Sequence, residues 1–216
     1  KLKWIKSELE NKLNLILFLI ISLLLSIFII RNLDINFLIN TILVTSAFYL
    51  FLITLKDFFS KKFKNLSQNF AHFSFSLLIL SILFNNFLST EIITNLKINE
   101  TYENDVLKIN FEGIEQRDEQ NFKAIIGKFV IEHSGGQTDI MQPELRIYNQ
   151  PNIITSEADI KTTLYKDKFM TMNSVQNQDY FNIRYQVKPL MIWIWLSTFL
   201  ISFSGLIGFF KKRYEN

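Results

Sequence analysis

Polar and apolar positions are segregated into long blocks along this chain. Four runs are almost free of charge: about Leu13 to Ile30, Ile35 to Leu55, Phe70 to Leu88 and Leu190 to Phe210. Each approaches or exceeds the roughly 20 residues that a helix needs to cross a hydrocarbon layer about 30 Å thick. Inside such a layer every backbone N–H and C=O must be satisfied within the segment, so the runs are expected as helices. The first two are separated only by residues around Asn32 to Asp34, which predicts an antiparallel helical hairpin.

Between the third and fourth runs the pattern changes to that of strands. Val106 to Phe111 alternates roughly with period two, and Ala124 to Glu132 gathers Ile125, Ile126, Phe129, Val130 and Ile131. Ser134-Gly135-Gly136-Gln137 predicts a turn, with Thr138 to Met141 as the returning strand. Pro143 and Pro151 punctuate the next stretch of chain, and Glu157 to Leu164 is expected as one short helix. The fold expected is therefore an α-helical integral membrane protein with four transmembrane helices. A small β-rich extracytoplasmic domain, an open sandwich or barrel, stands between helices three and four. The division runs 1–88 for three helices (about 13–30, 35–55 and 70–88), 89–188 for the β domain, and 189–216 for the final helix and a basic tail.

Charge placement orients this arrangement. Lys1, Lys3, Lys6 and Lys12 precede the first run; Lys56, Lys61, Lys62 and Lys64 lie around the second junction; Lys211, Lys212 and Arg213 end the chain. Four crossings put these three segments on one side, which the positive-inside rule assigns to the cytoplasm or matrix. The stretch from 89 to 188 carries 15 acids against 11 bases and falls outside. Composition then narrows the chemistry. There is no cysteine, so disulfide scaffolds, thiolate metal sites and cysteine nucleophiles are excluded. Charged residues at 20% and aromatic residues at 15% exclude a disordered chain. The basic runs are short and juxtamembrane, so they read as topology signals and lipid contacts, and no nucleic-acid partner is expected. The chain opens on Lys1 with no signal-peptide pattern before the first run, which leads to the expectation of a fragment or separately encoded piece of something larger.

Candidate chemistry is sparse. No GxSxG, P-loop, GxGxxG or HExxH pattern is present. Of two histidines, His72 lies just inside the third run, and an ionisable residue there is a functional candidate by default. Helical spacing puts Ser76, Ile79 and Leu83 on its face, a surface suited to a flat apolar macrocycle. An interfacial histidine reaching toward headgroups is the other reading, and residue chemistry leaves both open. His133, beside the Gly-Gly turn, reads as an exposed loop residue. Pro143-Glu144-Leu145-Arg146-Ile147-Tyr148 places an acid, a guanidinium and a phenol together. Arg184, Lys188 and Pro189 lead into Trp193 and Trp195, where tryptophan at a membrane boundary is ordinarily an anchor.

At these residues the chain resembles the C-terminal part of the CcmF family of cytochrome c-type biogenesis proteins. Ala71-His72 followed by Ser74 resembles an Ala-His-x-Gly helix opening. Pro143 to Tyr148 resembles Pro-Glu-Lys-Arg-x-Tyr, and Thr155-Ser156-Glu157-Ala158-Asp159-Ile160 is similar to Thr-Thr-Glu-Ala-x-Ile. Lys188-Pro189-Leu190, Trp193-Ile194-Trp195-Leu196 and Lys212-Arg213-Tyr214 look like the family's last helix. Leu145 departs from the usual Lys, and Ser74, Ser81 and Ser197 stand where glycine is common. Nothing resembles the family's Trp-rich haem-handling loop, so the chain is not expected to act alone as a haem lyase.

The resemblance implies a membrane subunit of cytochrome c maturation that takes part in attaching haem to the CxxCH thiols of apocytochrome c. It implies His72 as an axial ligand of haem b, with the second histidine on a helix outside this chain. Arg184 and Lys188 become candidate propionate contacts, and Pro143, Glu144, Arg146, Tyr148, Glu157, Pro189, Trp193 and Trp195 candidate partner contacts. Implied partners are the remaining N-terminal part of CcmF, the haem chaperone CcmE, a CcmH-type subunit, apocytochrome c and the bilayer. The expected place is a bacterial inner membrane with 89–188 in the periplasm, or a mitochondrial inner membrane if the chain is organelle-encoded. Two other readings stay open: a non-enzymatic membrane-anchored β module serving as scaffold or sensor, and the membrane subunit of the other cytochrome c synthesis system.

Overall fold

The computed structural model describes residues 2–33, 36–59, 66–175 and 179–215, with side chains between Lys12 and Phe210. Lys61, Lys62 and Lys64, together with the side chains of Lys1, Lys3, Lys6, Lys211, Lys212 and Arg213, lie outside this set, as do Asp34 and Ile35. The chain divides into two compact units, residues 1–87 with 190–216, and residues 88–189.

The first unit is helical: α1 (Leu2–Arg31), α2 (Phe37–Phe59), α3 (Leu66–Leu88) and α4 (Met191–Glu215). Among the described residues all four are long and apolar enough to cross a membrane. Several of the helices outrun the charge-free cores read from the sequence, because helical hydrogen bonding continues through the flanking polar residues. Their contacts use small hydroxyl residues. Ser22, Ser26, Ser74, Ser76, Ser81, Ser197 and Ser204 are buried, as expected where helix backbones approach closely. Ser22, Ser26 and Ser197 donate to carbonyls four residues back, which satisfies the hydroxyl inside an apolar helix. Between α2 and α3, Thr54 Oγ1 and Ser76 Oγ are 2.7 Å apart, flanked by Phe48–Phe84, Phe51–Phe73 and Phe58–Phe70 ring contacts. Between α3 and α4, Ser67 Oγ donates to the Ser204 carbonyl at 2.7 Å. Gly208 permits that approach, since a Cβ there would lie 2.8 Å from Ser67 Oγ.

The second unit is a β-sandwich. Its strands, in chain order, are β1 (Thr90–Leu96), β2 (Thr101–Glu103), β3 (Leu107–Asp118), β4 (Phe122–His133), β5 (Thr138–Met141), β6 (Glu144–Tyr148), β7 (Ile154–Glu157), β8 (Asp159–Thr162), β9 (Lys166–Ser174) and β10 (Phe181–Pro189). One sheet runs β1-β10-β9-β8; the other runs β2-β3-β4-β6-β7, with β5 pairing along the rest of β4. All pairs are antiparallel. The predicted strands and Gly-Gly turn are present. The helix expected over Glu157 to Leu164 is not: these residues end β7, form β8 and enter the following turn. Good local helix formers there are overridden because the segment pairs with β6 on one side and β9 on the other, and β strength is set by such cross-strand context.

The core between the sheets holds Leu96, Ile109, Phe111, Phe129, Ile131, Met141, Leu145, Met170, Met172, Ile183 and Tyr185. Phe111 and Phe129 stack with centroids 4.3 Å apart. Gly127 makes room for this: a Cβ would sit 2.6 Å from the Phe129 ring and 2.7 Å from Met172 Sδ. The first and last strands are neighbours, with Thr90 opposite Val187. Both chain ends of the sandwich therefore leave from one end of one sheet, which is how a domain can be inserted between two helices. Leu190 makes the exit with a left-handed backbone (φ 58°), and its carbonyl accepts from Trp193 and Ile194 to start α4.

Candidate functional site

His72 is the seventh residue of α3, near the end opposite β1. It is exposed, on a stripe with Gln68, Phe75, Ile79, Ile82 and Asn86. Spacings of three and four hold this stripe on one side of the helix. Phe75 and Ile82 are 52% and 48% exposed, so an apolar surface lies beside the imidazole. Ser76, grouped with His72 in the sequence, turns inward to Thr54. The fit to an axial ligand is good: the imidazole is accessible from outside the unit and lies beside apolar side chains.

The motif residues of the β domain gather on the outer face of the six-stranded sheet. Alternation along β6 sends Leu145 into the core and Glu144, Arg146 and Tyr148 to the other face. Register then stacks three rungs across the sheet: Glu115, Ile126, Glu144 and Glu157; Arg117, Ala124, Arg146 and Thr155; Phe122 and Tyr148. Glu144 bridges two guanidiniums, accepting from Arg117 Nη2 at 3.1 Å and Arg146 Nε at 2.9 Å. Arg146 also lies over the Phe122 ring, 5.0 Å from its centroid. Hydrogen bonds to Glu144 and Tyr148 hold the Arg146 guanidinium above its already high pKa. Glu157 accepts from Thr155 Oγ1 at 3.1 Å, and Pro143 is fully buried. Arg117 was not singled out by sequence, because its partner Glu144 is 27 residues away.

Arg184 and Lys188 lie on the outer face of the other sheet. Arg184 is hydrogen-bonded to Glu91, and that bond holds the Glu91 carboxyl below its usual pKa. Lys188 Nζ stands 5.6 Å from the centroid of Phe169. Pro189 ends β10 opposite Lys166. Trp195 on α4 is 67% exposed, whereas Trp193 is half-buried.

A fourth cluster was not legible as such. His133, expected as an exposed loop residue, has only 17% of its side chain exposed, and its Nε2 is 2.9 Å from Asp139 Oδ2. Lys168, 2% exposed, donates to the same carboxylate oxygen and lies 3.3 Å from the imidazole. Burial would raise the Asp139 pKa, but bonds from Lys168 and His133 outweigh it and hold the carboxyl low. Burial, helped by Asp139, pushes the Tyr185 phenol above its ordinary pKa. Three strands contribute one residue each, so no local spacing announces the group. Among the described residues no cluster of three or more His, Asp or Glu is placed to hold a metal.

The class defined by these features is a helical unit, long and apolar enough to span a membrane, interrupted by an antiparallel β-sandwich. Residues 87–189 match the sequence model of the family described as CcmF C-terminal beta-sandwich. The chain is 27% identical over 105 residues to the cytochrome c-type biogenesis protein CcmF of Pseudomonas fluorescens, covering 49% of this chain and 16% of the relative. It is 27% identical over 120 residues to ccl1 of Rhodobacter capsulatus, covering 56% and 18%. It is 21% identical over 173 residues to NrfE of Haemophilus influenzae, covering 80% and 27%. A solved structure of the cytochrome c haem lyase CcmF shares the fold with a TM-score of 0.67 at 18% identity, over 91% of this chain and 34% of that one. Residues 87–189 are thus similar to the CcmF C-terminal sandwich, and the stretches matched are about a sixth to a quarter of those relatives' length.

Proposed function

We propose that this chain is a membrane subunit of cytochrome c maturation, working as the C-terminal part of a CcmF-type haem lyase. The observation that carries the proposal is the match of residues 87–189 to the CcmF sandwich, bracketed by helices within a fold shared with the haem lyase. In this reading the four helices cross a bacterial inner membrane, or a mitochondrial one, and the sandwich faces the periplasm or its equivalent. Reporters fused near Gln137 and Lys62 should be active outside and inside respectively; the reverse pattern would undo the orientation.

His72 would hold haem b through an imidazole nitrogen from the outward stripe of α3, together with a residue on a helix of the N-terminal part. Bound there, a haem would supply one-electron redox chemistry, and the role of His72 would be to hold it. Phe75, Ile79 and Ile82 present an apolar surface beside the exposed imidazole, and a haem seated against it would have its potential tuned by that apolar contact. In a propionate role for Arg184 and Lys188, Glu91 would compete for Arg184. CcmE, a CcmH-type subunit and apocytochrome c are the proposed partners. The alternative of a non-enzymatic scaffold draws on the outer face carrying Glu144, Arg146, Tyr148 and Glu157.

One assay separates the two: co-expression with the N-terminal part in cells lacking their own, read as covalent haem in cytochrome c. The lyase reading expects thioether-bound haem that is lost in His72→Ala at unchanged protein level. Haem attachment indifferent to His72 supports the scaffold.

A further inference from the structure

The turn between β8 and β9 breaks a local rule. Thr163 N donates to Lys166 O at 3.0 Å, Thr163 Oγ1 donates to the same oxygen at 2.7 Å, and Lys166 N donates to Thr163 Oγ1 at 3.1 Å. That closure leaves only Leu164 and Tyr165 to make the tip. Turn chemistry favours Gly, Asn, Asp, Pro and Ser at such positions, as this chain itself uses at Gly135-Gly136. Here the tip instead carries a leucine that is 61% exposed and a tyrosine that is 75% exposed. Tyr165 is the most exposed large apolar or aromatic side chain among the described residues. An exposed apolar pair placed against local preference points to a partner surface.

Register locates the tip. Lys166 pairs with Pro189 and Lys168 with Val187, while Val187 also pairs with Thr90. The tip therefore projects past the last rung of β10, in the direction in which both chain ends leave the sandwich. Its backbone extends about 3 Å beyond that rung at roughly 3.3 Å per residue. Over the same interval the chain passes through Leu190 into α4 at Met191, and Ser89 joins β1 to α3 at Leu88.

We propose that Leu164 and Tyr165 form a third attachment point of the β domain, seated in the lipid headgroup layer from which α3 and α4 emerge. The inference rests on the reading of these helices as membrane-spanning. Tyrosine suits that layer because its ring is apolar and its hydroxyl stays hydrated. Lys166, adjacent to Tyr165 in sequence, brings a positive charge to the tip for lipid phosphates. A third contact fixes the height at which it presents its outer faces.

The absence of cysteine makes the test direct. Single variants Tyr165→Cys, Gln120→Cys and Phe199→Cys of the full chain carry a nitroxide label in vesicles of phosphatidylethanolamine and phosphatidylglycerol. Collision rates with oxygen, which favours lipid, are compared with those of a water-soluble nickel chelate. The label at Tyr165 should lose most of the nickel collisions seen at Gln120, in the β3–β4 turn, and Phe199 within α4 should lose nearly all. Leu164→Cys, which keeps the tyrosine, should read as Tyr165→Cys does. Labels at 164 and 165 matching Gln120 while Phe199 stays lipid-exposed would overturn the third attachment alone. Water exposure at Phe199 would overturn the membrane reading and the attachment with it.

Discussion

Replacing Asp139 by Asn should unlock the β domain from inside. The Lys168 side chain is only 3% exposed, and its ammonium donates to the Asp139 carboxylate. Removing one partner of a buried pair costs about 3–5 kcal/mol, because an uncompensated charge remains. At about 1.4 kcal/mol per factor of ten, that is a change of roughly a hundredfold to a few thousandfold in the opening equilibrium. Hydrogen exchange read by mass spectrometry on the whole chain in detergent measures it locally. Peptides covering Phe129 to Ile131 and Met170 to Met172 should exchange at least about a hundredfold faster in Asp139→Asn, and α2 peptides should be unchanged. Adding Lys168→Met removes the stranded charge and should restore most of the protection. The sign of the pH dependence follows from the depressed Asp139 pKa. Its contribution is fully present above the unfolded value of about 3.9 and is lost as pH falls through the lower folded value. The parent should therefore lose protection over that acid range more steeply than Asp139→Asn. Equal exchange in parent and variant near neutral pH, or identical acid profiles, would show that the ion group does not hold the sheets together.

Two further substitutions test the packing that holds the units. Gly127→Ala would drive a methyl into the Phe129 ring and Met172, an overpacking cost of about 1–3 kcal/mol; the same exchange measurement should show faster opening of β4, and parental rates would count against it. Thr54→Val removes the hydroxyl contact with Ser76 and should weaken α2–α3 association by about 0.6 kcal/mol, the average for such bonds in helical membrane proteins. Denaturing-detergent titration reads the change, and a loss several times larger would mean that the hydroxyl pair organises more than one helix contact.

The four helices were legible because each repeats one physical demand, an uninterrupted apolar run about as long as a bilayer is thick. Their true ends were not, since hydropathy marks where lipid would begin and not where helical hydrogen bonding stops. Within the β domain, Val106 to Phe111, Ala124 to Glu132 and the Gly-Gly turn announced themselves through alternation and turn chemistry. Glu157 to Leu164 did not, because its strand character comes from neighbours on β6 and β9 that local propensity does not contain. The same limit hid the two best-connected polar groups. Glu144 was visible as a motif residue, but its bridge to Arg117 depends on the register of β3, β4 and β6. His133 looked like a turn histidine; Asp139 and Lys168, six and 35 residues away, make it part of a buried ion group.

The proposed chemistry turns on His72 holding haem iron from the outward face of α3. A reduced-minus-oxidised absorption spectrum of the chain purified with its N-terminal part reads that bond without intermediaries. A low-spin b-type spectrum is predicted in the parent and in His133→Ala, with loss of that signal in His72→Ala at equal protein yield. A full low-spin spectrum surviving in His72→Ala would mean that the iron is held elsewhere.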